Sequence, residues 1–517
     1  MSRLPSHVVS RVRIAASLCL VCVLLTGMVN RVCADPHPAG ATSQKQGGTE
    51  VWQVAYLGKS RIGHSRSYTR PVTVEGKSFV KCEYETRLAI KRFGQSLQVE
   101  TRRETIDSPD GGLQSFDYEM KNPPAASTRT IGHVDGNRLV GEINVGGTAH
   151  EFSMPWDPAT KSPAYLDRLP VEHPFKPFQT VILKEFLPEQ MQVSEVHLSA
   201  GRRESVTLLD GHRKTLLKVT VLESILPQTP SQLYLDDRGN AIVSTAEMLG
   251  QTLTTYTVPA EEALKEVVGN ELDIAVKTLV ASTAIPNAHR TQRVVYRVKM
   301  KGEDPTPFFP NYPYQKVIRT GLDECQITVR AVPVSATNRT IRVDRQYLAS
   351  SRYLQVNDSQ VMLHVDRAAR TIVEPAKIAV AMERYVNQQI QQKDFSTALA
   401  SAAEVARSLQ GDCTEHAVLL AAMLRGRNIP SRIAVGLVYI EPLAAFGGHM
   451  WTEALLGDRW VPLDATLALG QGGTGAAHIK LADSSFADNG PSAMTTFLPL
   501  LHVMGKIDLT VVESSLR

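Results

Sequence analysis

Residues from about 49 to 258 alternate between apolar and polar side chains with a period of two. The clearest run has Val80, Cys82, Tyr84, Thr86 and Leu88 on one phase and charged residues between them. A period of two predicts strands with one face on a core and the other in water. Turn signals separate such runs, at Asp110-Gly111-Gly112, Asp135-Gly136-Asn137 and Asp237-Arg238-Gly239-Asn240. This part of the chain is therefore predicted to form a β meander or half-barrel.

A second β-rich segment is predicted from about residue 270 to 345. Its best strand patterns are Val294–Val298 and Cys325–Val329, and the proline-rich stretch Pro305–Pro313 between them can only be loop. We expect this segment to form a β-sandwich-like module. From about residue 346 the pattern changes to helix, because apolar side chains within Ile378–Ile390 recur at three- and four-residue spacing.

The first 34 residues have the three parts of a secretory signal peptide. Arg3, Arg11 and Arg13 form a basic region, Ile14–Val29 an apolar region, and Val32-Cys33-Ala34 a cleavage site. The apolar region is short for a membrane span, and no later stretch has about 18 uncharged apolar residues in a row. We therefore expect an exported protein, periplasmic or secreted, without an integral membrane span after cleavage.

The charge balance argues against nucleic acid as a partner. The full chain has 56 Lys and Arg and 52 Asp and Glu. All four charged residues of the leader are arginines, so its removal leaves 52 basic and 52 acidic residues. No segment of the mature chain concentrates Lys and Arg as a phosphate-binding surface does.

Three cysteines, Cys82, Cys325 and Cys413, remain once the leader is removed. Export predicts an oxidising compartment, and an odd number leaves at least one thiol unpaired within the chain. Cys82 and Cys325 both fall on the apolar phase of their strands, which favours core packing. A disulfide between them is the alternative.

Cys413 stands in the first turn of a predicted helix. Gly411–His416 opens this helix, its apolar positions recur up to Leu424, and Gly426 marks its end. In a first turn, the backbone N–H groups and the helix dipole favour a thiolate, the species that attacks a carbonyl. The same N–H groups can receive an oxyanion. Gly411 presents no side chain to a substrate backbone.

A base for this nucleophile is predicted on a downstream hairpin. The residues on either side of Gly457-Asp458 form two strands joined by that two-residue turn. In this register His449 faces Thr466, and Asp464 is the diagonal neighbour on the same face. A one-residue bulge or slip brings His449 and Asp464 into hydrogen-bond range. We expect Asp464 to accept a hydrogen bond from His449 Nδ1–H.

Neighbouring features have less reactive interpretations. His416 is one helical turn from Cys413 and could serve as the base, but this spacing carries its ring off the attack side, which favours packing. Glu415 is interpreted as a favourable first-turn charge. Gly470–Gly475 fits the pattern G-x-G-x-x-G, yet it follows no buried strand and opens no βαβ unit, which favours a mobile loop beside the site over dinucleotide binding. The mature sequence has no zinc or calcium motif, so we expect no metal and no other cofactor.

Three ordered blocks resemble the bacterial transglutaminase-like proteins of the transglutaminase and papain-like cysteine protease superfamily. The blocks are Gly411–Ala417, Asn428–Arg432 with Gly436, and His449–Glu453 continuing through Trp460–Thr466. The resemblance covers roughly residues 350–515 and implies an α+β papain-like domain. It implies a catalytic triad with Cys413 as nucleophile, His449 as base and Asp464 as the residue that orients the base. It assigns no second oxyanion donor.

The opening of the first β-rich region, Val54–Gly58 followed by Arg61–Gly63, resembles envelope β domains that cradle lipids or partners. An envelope lipid or protein partner is therefore expected for this region. The expected domains are a signal peptide at 1–34, an envelope-type β domain at 35–262, a second β domain at 263–345 and a transglutaminase-like catalytic domain at 346–517.

The expected function is acyl transfer on protein or peptide amide bonds through a thioester. Water as second substrate would make the chain a cysteine protease or amidase, and an amine would make it a transglutaminase. The triad does not distinguish these outcomes, and hydrolysis is favoured slightly because no signal indicates a site built to exclude water. The alternative is a catalytically silent transglutaminase-like scaffold in a binding or envelope-assembly protein.

Overall fold

The computed structural model describes residues 42–45, 47–123, 127–266, 271–335, 341–392, 399–468, 472–488 and 493–516. The contacts divide these residues into two compact units. The N-terminal unit ends at Leu272. The short segment Arg92–Gln95 interrupts it and belongs, together with Asp273–Arg517, to the C-terminal unit. The predicted signal peptide lies outside the described residues, as do Gly470 and Gln471 of the glycine-rich segment.

The N-terminal unit contains one fifteen-stranded sheet. Its strands are β1 (Thr42–Lys45), β2 (Gly48–Leu57), β3 (Ser60–Val74), β4 (Lys77–Arg92), β5 (Gln95–Asp107), β6 (Leu113–Lys121), β7 (Thr128–Asp135), β8 (Arg138–Val145), β9 (Thr148–Pro155), β10 (Thr180–Leu187), β11 (Gln192–Thr207), β12 (Arg213–Glu223), β13 (Ser231–Leu235), β14 (Ala241–Met248) and β15 (Gln251–Val258). Two helices accompany them, α1 (Pro163–Glu172) and α2 (Ala260–Ala263).

The order of the strands is that of a meander. The path runs from β10 to β15 and then from β2 to β9, because β15 pairs antiparallel with β2, and β1 adds to β2. The alternation predicted for β4 is present, since Cys82, Tyr84 and Leu88 are buried whereas Arg87 is exposed. The β-rich architecture expected for this region is confirmed.

The C-terminal unit has two sheets. Its strands are β16 (Val280–Ala281), β17 (Thr291–Met300), β18 (Gln315–Arg319), β19 (Glu324–Arg330), β20 (Ser431–Ile440), β21 (Ala445–Leu456), β22 (Arg459–Leu463), β23 (His478–Ser484) and β24 (Ile507–Leu516). One sheet has the order β16-β21-β20-β23 with β22 paired to β21, and the other has the order β18-β19-β17-β24.

The described residues of this unit also form six helices, together with short 3-10 turns. The helices are α3 (Ile274–Lys277), α4 (Ser359–Ala369), α5 (Pro375–Gln389), α6 (Ala402–Ser408), α7 (Cys413–Gly426) and α8 (Leu498–Val503). The 3-10 turns are Ala288–Arg290, Thr306–Phe308, Arg345–Tyr347, Glu441–Leu443 and Ala493–Phe497. The apolar spacing that predicted helix is that of α5, where Ile378, Met382 and Val386 are buried. None of the helices in the described ranges is long and apolar enough to cross a membrane.

The strands expected to form a separate second β module lie in the same compact unit as the helices that follow them. The last strand of the chain, β24, pairs with β17, and β16 pairs with β21 of the other sheet. The expected boundary at residues 345 and 346 stays a prediction. It rests on periodicity, which identifies strands but carries no information about which distant strand completes their hydrogen bonds.

Candidate active site

A reciprocal capping box starts the helix that carries Cys413, the first residue of α7. Asp412 Oδ1 accepts the backbone N–H of Thr414 at 2.9 Å, and Glu415 Oε2 accepts the backbone N–H of Asp412 at 2.9 Å. Arg92, which belongs to the same unit, donates from Nη2 to Asp412 Oδ2 at 2.6 Å. These bonds fix the turn immediately before the thiol.

The two carboxyl groups of this cap differ in their electrostatics. Burial alone would raise the pKa of Asp412, but the Arg92 charge and the hydrogen bonds from Arg92 and Thr414 together outweigh burial and hold that pKa below its usual value. Burial and the neighbouring Asp412 charge raise the pKa of Glu415 to about 8. Glu415 therefore acts through its hydrogen bonds inside the protein, whereas the sequence suggested a first-turn charge.

Gly411 is required by the cap itself. Its φ is +138°, and an added Cβ would lie 2.4 Å or less from side-chain carbons of Glu415. A residue with a side chain is strained in this backbone conformation and would push Glu415 out of the capping box. The sequence-based interpretation gave a different reason, the approach of a substrate backbone.

The predicted hairpin forms with the predicted register. Its strands β21 and β22 pair at Leu456 with Arg459 and at Thr452 with Leu463, around the two-residue turn. The ladder ends at Leu463, so Asp464 leaves the strand and turns back toward β21. The pairing of β21 with β22 contains no bulge or slip, and the contact to His449 arises because β22 stops one residue before Asp464.

The structure brings Cys413, His449 and Asp464 together. His449 Nε2 lies 2.8 Å from Asp464 Oδ2, and the His449 side chain is also hydrogen-bonded to Cys413. Because Nε2 faces the carboxylate, Nδ1 is left for the thiol. This assignment corrects the expectation that Nδ1–H would face Asp464. Thr452 ties the hairpin to α7, since its hydroxyl donates to the Ala417 carbonyl at 2.9 Å.

The pKa values of His449 and Asp464 are both strongly shifted, in opposite directions. Burial alone would lower the pKa of His449, but Asp464 and Cys413 outweigh it, so this pKa stands well above its usual range. Burial alone would raise the pKa of Asp464, but His449 and His478 outweigh it, so this pKa stands well below its usual range. The geometry thus favours an imidazolium held between a carboxylate and a sulfur.

Two side chains of helix α5 form hydrogen bonds to the backbone that follows β22. Glu383 Oε1 accepts the backbone N–H of Asp464 at 2.7 Å, and its Oε2 accepts the N–H of Gly473 at 3.1 Å. One turn later, Asn387 Nδ2 donates to the Ala465 carbonyl at 2.7 Å. Burial raises the pKa of Glu383 to about 8. Both residues were missed in the sequence, where they appear as polar positions on an amphipathic helix.

His478 is a third residue that the sequence did not reveal. It begins β23, and its Nε2 lies 3.0 Å from the same Asp464 Oδ2 that faces His449. Strand β20 lies between β21 and β23, with His449 opposite Gly436 and His478 opposite Val438. At Gly436 an added Cβ would lie 2.0 Å from the Ile479 carbonyl oxygen, so glycine is what permits the close approach of β23.

The ring of His416 points back into its own helix start. Its Nδ1–H donates to the Asp412 carbonyl at 2.5 Å. This hydrogen bond is consistent with a packing role and leaves His449 as the imidazole hydrogen-bonded to Cys413. The Thr414 N–H is used by Asp412 Oδ1, so it does not contribute to an oxyanion site in this arrangement.

The candidate site is closed to solvent. Cys413 and His449 are 0% exposed and Asp464 is 2% exposed. Trp451 stacks beside His449 with 6.2 Å between ring centroids, and its Nε1 has no hydrogen-bond partner among the described residues. A substrate can reach the sulfur only if the covering groups move.

Three side chains could offer atoms to a metal ion. His449 Nε2, Asp464 Oδ2 and His478 Nε2 all lie within 4.8 Å of one another. Their N–O separations of 2.8 and 3.0 Å are those of hydrogen bonds. The described part of the glycine-rich segment, 472–475, lines a pocket of about 350 Å³ together with His289 and Arg290.

The other two cysteines are buried and free. Burial raises the pKa of both Cys82 and Cys325 to about 12, so their thiols stay protonated at neutral pH. Cys82 lies on β4 and Cys325 on β19, each among core residues. The structure therefore shows both cysteines packed in the core, which the apolar phase of their strands favoured over a disulfide.

Residues 365–465 match the profile of the transglutaminase-like superfamily. The expectation of a transglutaminase-like domain is confirmed, and the matched range contains Cys413, His449 and Asp464 but ends before His478. No curated protein sequence matches the chain significantly.

Several solved structures show a distant likeness. A protein named as a candidate cysteine protease from Cytophaga hutchinsonii is 14% identical, with 44% of this chain and 87% of that chain covered and a TM-score of 0.27. A β-barrel-like protein with a domain of unknown function from Brucella abortus is 12% identical, with 40% and 95% covered and a TM-score of 0.29. The periplasmic domain of TgpA from Pseudomonas aeruginosa, bound to ethylmercury, is 12% identical, with 35% and 91% covered and a TM-score of 0.23. At these TM-scores the likenesses carry no conclusion for this chain.

Proposed function

We propose that this transglutaminase-like protein is an exported enzyme that transfers acyl groups from protein or peptide amide bonds through a thioester. The observation that carries the proposal is the line of hydrogen bonds from Cys413 through His449 to Asp464, at the start of α7. A thiol next to an imidazole that an ionised carboxylate supports is the arrangement of an activated nucleophile.

The first half-reaction breaks the amide bond. The Cys413 thiolate attacks the carbonyl carbon, and the electron pair of the C=O bond moves to oxygen. His449 then gives its Nδ1 proton to the leaving nitrogen as the C–N bond breaks, which releases an amine and leaves a thioester on the sulfur. Asp464 holds the Nε2 side of the ring and stabilises its positive charge before this transfer.

The second half-reaction decides the class of the enzyme. Water attacking the thioester, with its proton taken by His449, gives a carboxylic acid and restores the thiol. An amine attacking in the same way gives a new amide bond. We favour hydrolysis slightly over amine transfer, as a cysteine protease or amidase, because no sequence signal indicates a site built to exclude water. The burial of Cys413 restricts the approach of water and of an amine alike.

The leader and the N-terminal unit complete the proposal. Residues 1–34 direct export, which places the enzyme in the periplasm or outside the cell. The β-rich N-terminal unit engages an envelope lipid or a protein partner. Both parts of the proposal rest on sequence patterns.

A catalytically silent scaffold is the second candidate. The observation that favours it is the complete burial of Cys413 and His449, which a binding protein tolerates and an enzyme must relieve. In that case the C-terminal unit would be structural, and the thiol would behave as a small core residue.

Thiol labelling of the native full chain separates the two candidates. Iodoacetamide should modify Cys413 at about pH 6 to 7 faster than a free thiol with a pKa of about 8.5 reacts. Cys82 and Cys325 should lag behind, because burial raises the pKa of both to about 12. Mass spectrometry of the three cysteine peptides measures these rates. Equal and slow labelling of all three would favour the scaffold.

The products identify the reaction. Incubation with extracted envelope proteins should give shortened polypeptides if water is the acceptor and cross-linked species if an amine is the acceptor. Cys413→Ala should abolish either product. Products that persist in Cys413→Ala would show that the activity does not come from this site.

A further inference from the structure

The carboxylate of Asp464 has a second imidazole partner. His478 Nε2 lies 3.0 Å from Oδ2, the oxygen that His449 Nε2 also contacts at 2.8 Å. An ionised carboxylate can only accept hydrogen bonds, so the Nε2 of His478 must carry a proton and donate it. The other oxygen, Oδ1, accepts the backbone N–H of Thr466 at 2.9 Å.

The surroundings of His478 give no reason for a histidine at this position other than its hydrogen bond to Asp464. The residue is 3% exposed, and aromatic rings surround it, with Trp451 at 5.4 Å, His289 at 5.8 Å and His449 at 5.9 Å between centroids. Among the residues that the structure describes, its Nδ1 has no hydrogen-bond partner. Burying a polar atom without a hydrogen-bond partner is unfavourable, because it loses its hydrogen bonds to water. An apolar side chain would fill the space without that cost, so the bond to Asp464 is what this histidine contributes.

The strand arrangement makes the contact specific. His449 and His478 lie on the two strands that flank β20, and both reach the carboxylate that follows β22. A register irregularity between β20 and β23 at Val435 and Gly436 sets the position of His478. The sheet therefore directs two imidazole donors to one oxygen.

We propose that His478 is a positioning residue of the catalytic centre, a neutral Nε2–H donor that keeps Asp464 ionised and turned toward His449. The inference rests on the proposed function, because it assigns a role within that same triad. Without His478, Oδ2 would keep one donor, and the carboxylate would gain freedom to rotate and would accept a proton more readily.

The consequence is a change in pH dependence. The titratable groups that face Asp464 are His449 from β21, His478 from β23 and Glu383 from α5, with Cys413 beyond His449. His289, from the 3-10 turn Ala288–Arg290, lies beyond His478 and also interacts electrostatically with Asp464. Burial lowers the pKa of His478, so His478 stays neutral as the pH falls toward the acid limb. Loss of its donated bond lets the pKa of Asp464 rise, so the support for the charged His449 ring is lost at a higher pH.

The test measures the rate of Cys413 alkylation by iodoacetamide in the full chain from about pH 4 to about pH 8. His478→Leu should move the acid midpoint up by about half to one pH unit and slow alkylation on the acid limb by roughly 3- to 10-fold. His478→Gln should restore most of both, because its amide nitrogen is the same number of bonds from Cα as the imidazole Nε2. A purely structural role predicts no such rescue of the midpoint.

A matched control uses another buried histidine paired with a carboxylate. His502 Nε2 lies 3.0 Å from the Glu303 carboxylate, away from the triad. His502→Leu should leave the midpoint unchanged. If His478→Leu does not fold, His478→Gln is compared with His478→Asn, whose shorter amide does not reach Oδ2 and should show the shifted midpoint.

The possible results are distinguishable. This inference is overturned if the wild type is alkylated fast but the midpoint is unchanged in His478→Leu, or in His478→Asn. The proposed function would then stay intact. A His478→Gln midpoint as shifted as that of His478→Leu would also overturn it. Absence of fast Cys413 alkylation in the wild type would overturn the proposed function and this inference together.

Discussion

Asp464 receives hydrogen bonds from three groups, and these bonds determine the charge state of its carboxyl group. His449 and His478 donate to Oδ2, and the backbone of Thr466 donates to Oδ1, so the negative charge is compensated within the protein. A buried carboxylate with this many donors stays ionised at neutral pH. Its charge is then available to hold His449 as an imidazolium.

Asp464→Asn keeps the size of the side chain and removes its charge. We expect a nearly unchanged melting temperature, slower Cys413 alkylation at about pH 6, and turnover lower by a factor on the order of 10 to 1,000. His416→Ala is the comparison, and it should keep most of the activity because His416 bonds to the Asp412 carbonyl. If His416→Ala abolishes alkylation while Asp464→Asn does not, the base lies on the nucleophile's own helix.

At the scale of elements, the start of α7 depends on the capping box more than on helix propensity. Asp412 and Glu415 satisfy each other's backbone donors, and Gly411 provides the backbone conformation that lets Glu415 pack beneath the turn. The position of Cys413 is therefore set by three residues that precede or follow it in sequence. Damage to the cap should displace the thiol as well as lower stability.

Gly411→Ala should destabilise the full chain by roughly 1–3 kcal/mol, because it adds a strained φ and a clash with Glu415. Gly302→Ala is the matched control, since Gly302 also has a positive φ but no atom within 4 Å of an added Cβ. Urea unfolding measures both. Equal losses of stability in the two variants would mean that the contact with Glu415 contributes nothing beyond backbone strain.

At the scale of the whole molecule, a buried carboxyl links stability to pH. Burial raises the pKa of Glu383 from 4.5 to about 8, so the folded chain binds this proton more tightly than the unfolded chain does. The stabilising contribution is complete below the unfolded pKa and is lost as the pH rises through the folded pKa. Stability from this group should therefore decline between pH 4.5 and about 8.

Glu383→Gln isolates this contribution, because glutamine does not titrate. Relative to the variant, the wild type should lose roughly 1–3 kcal/mol of unfolding free energy between about pH 5 and about pH 8. Urea unfolding of both chains at each pH gives the difference, and other titrating groups cancel in it. A wild type that gains stability relative to Glu383→Gln over this range would contradict a raised pKa for Glu383.

The amino-acid sequence by itself determined the local structure of this protein. Period-two alternation predicted the strands of the N-terminal unit, and the turn at Gly457-Asp458 predicted the register of the hairpin. These features are local, because side-chain periodicity and turn chemistry act within a few residues of each other. The segments that carry Cys413, His449 and Asp464 could be found for the same reason, together with the resemblance of their ordered blocks.

Only the tertiary structure decided what surrounds those residues. His478 and Glu383 contact Asp464 from a strand and a helix that no sequence pattern connects to it. Strand β24 pairs with β17 although more than half of the sequence of the C-terminal unit lies between them. The nitrogen of His449 that faces Asp464 also depended on where β22 ends. Contacts between residues far apart in sequence are set by how the sheets and helices pack together, which side-chain periodicity within each segment does not encode.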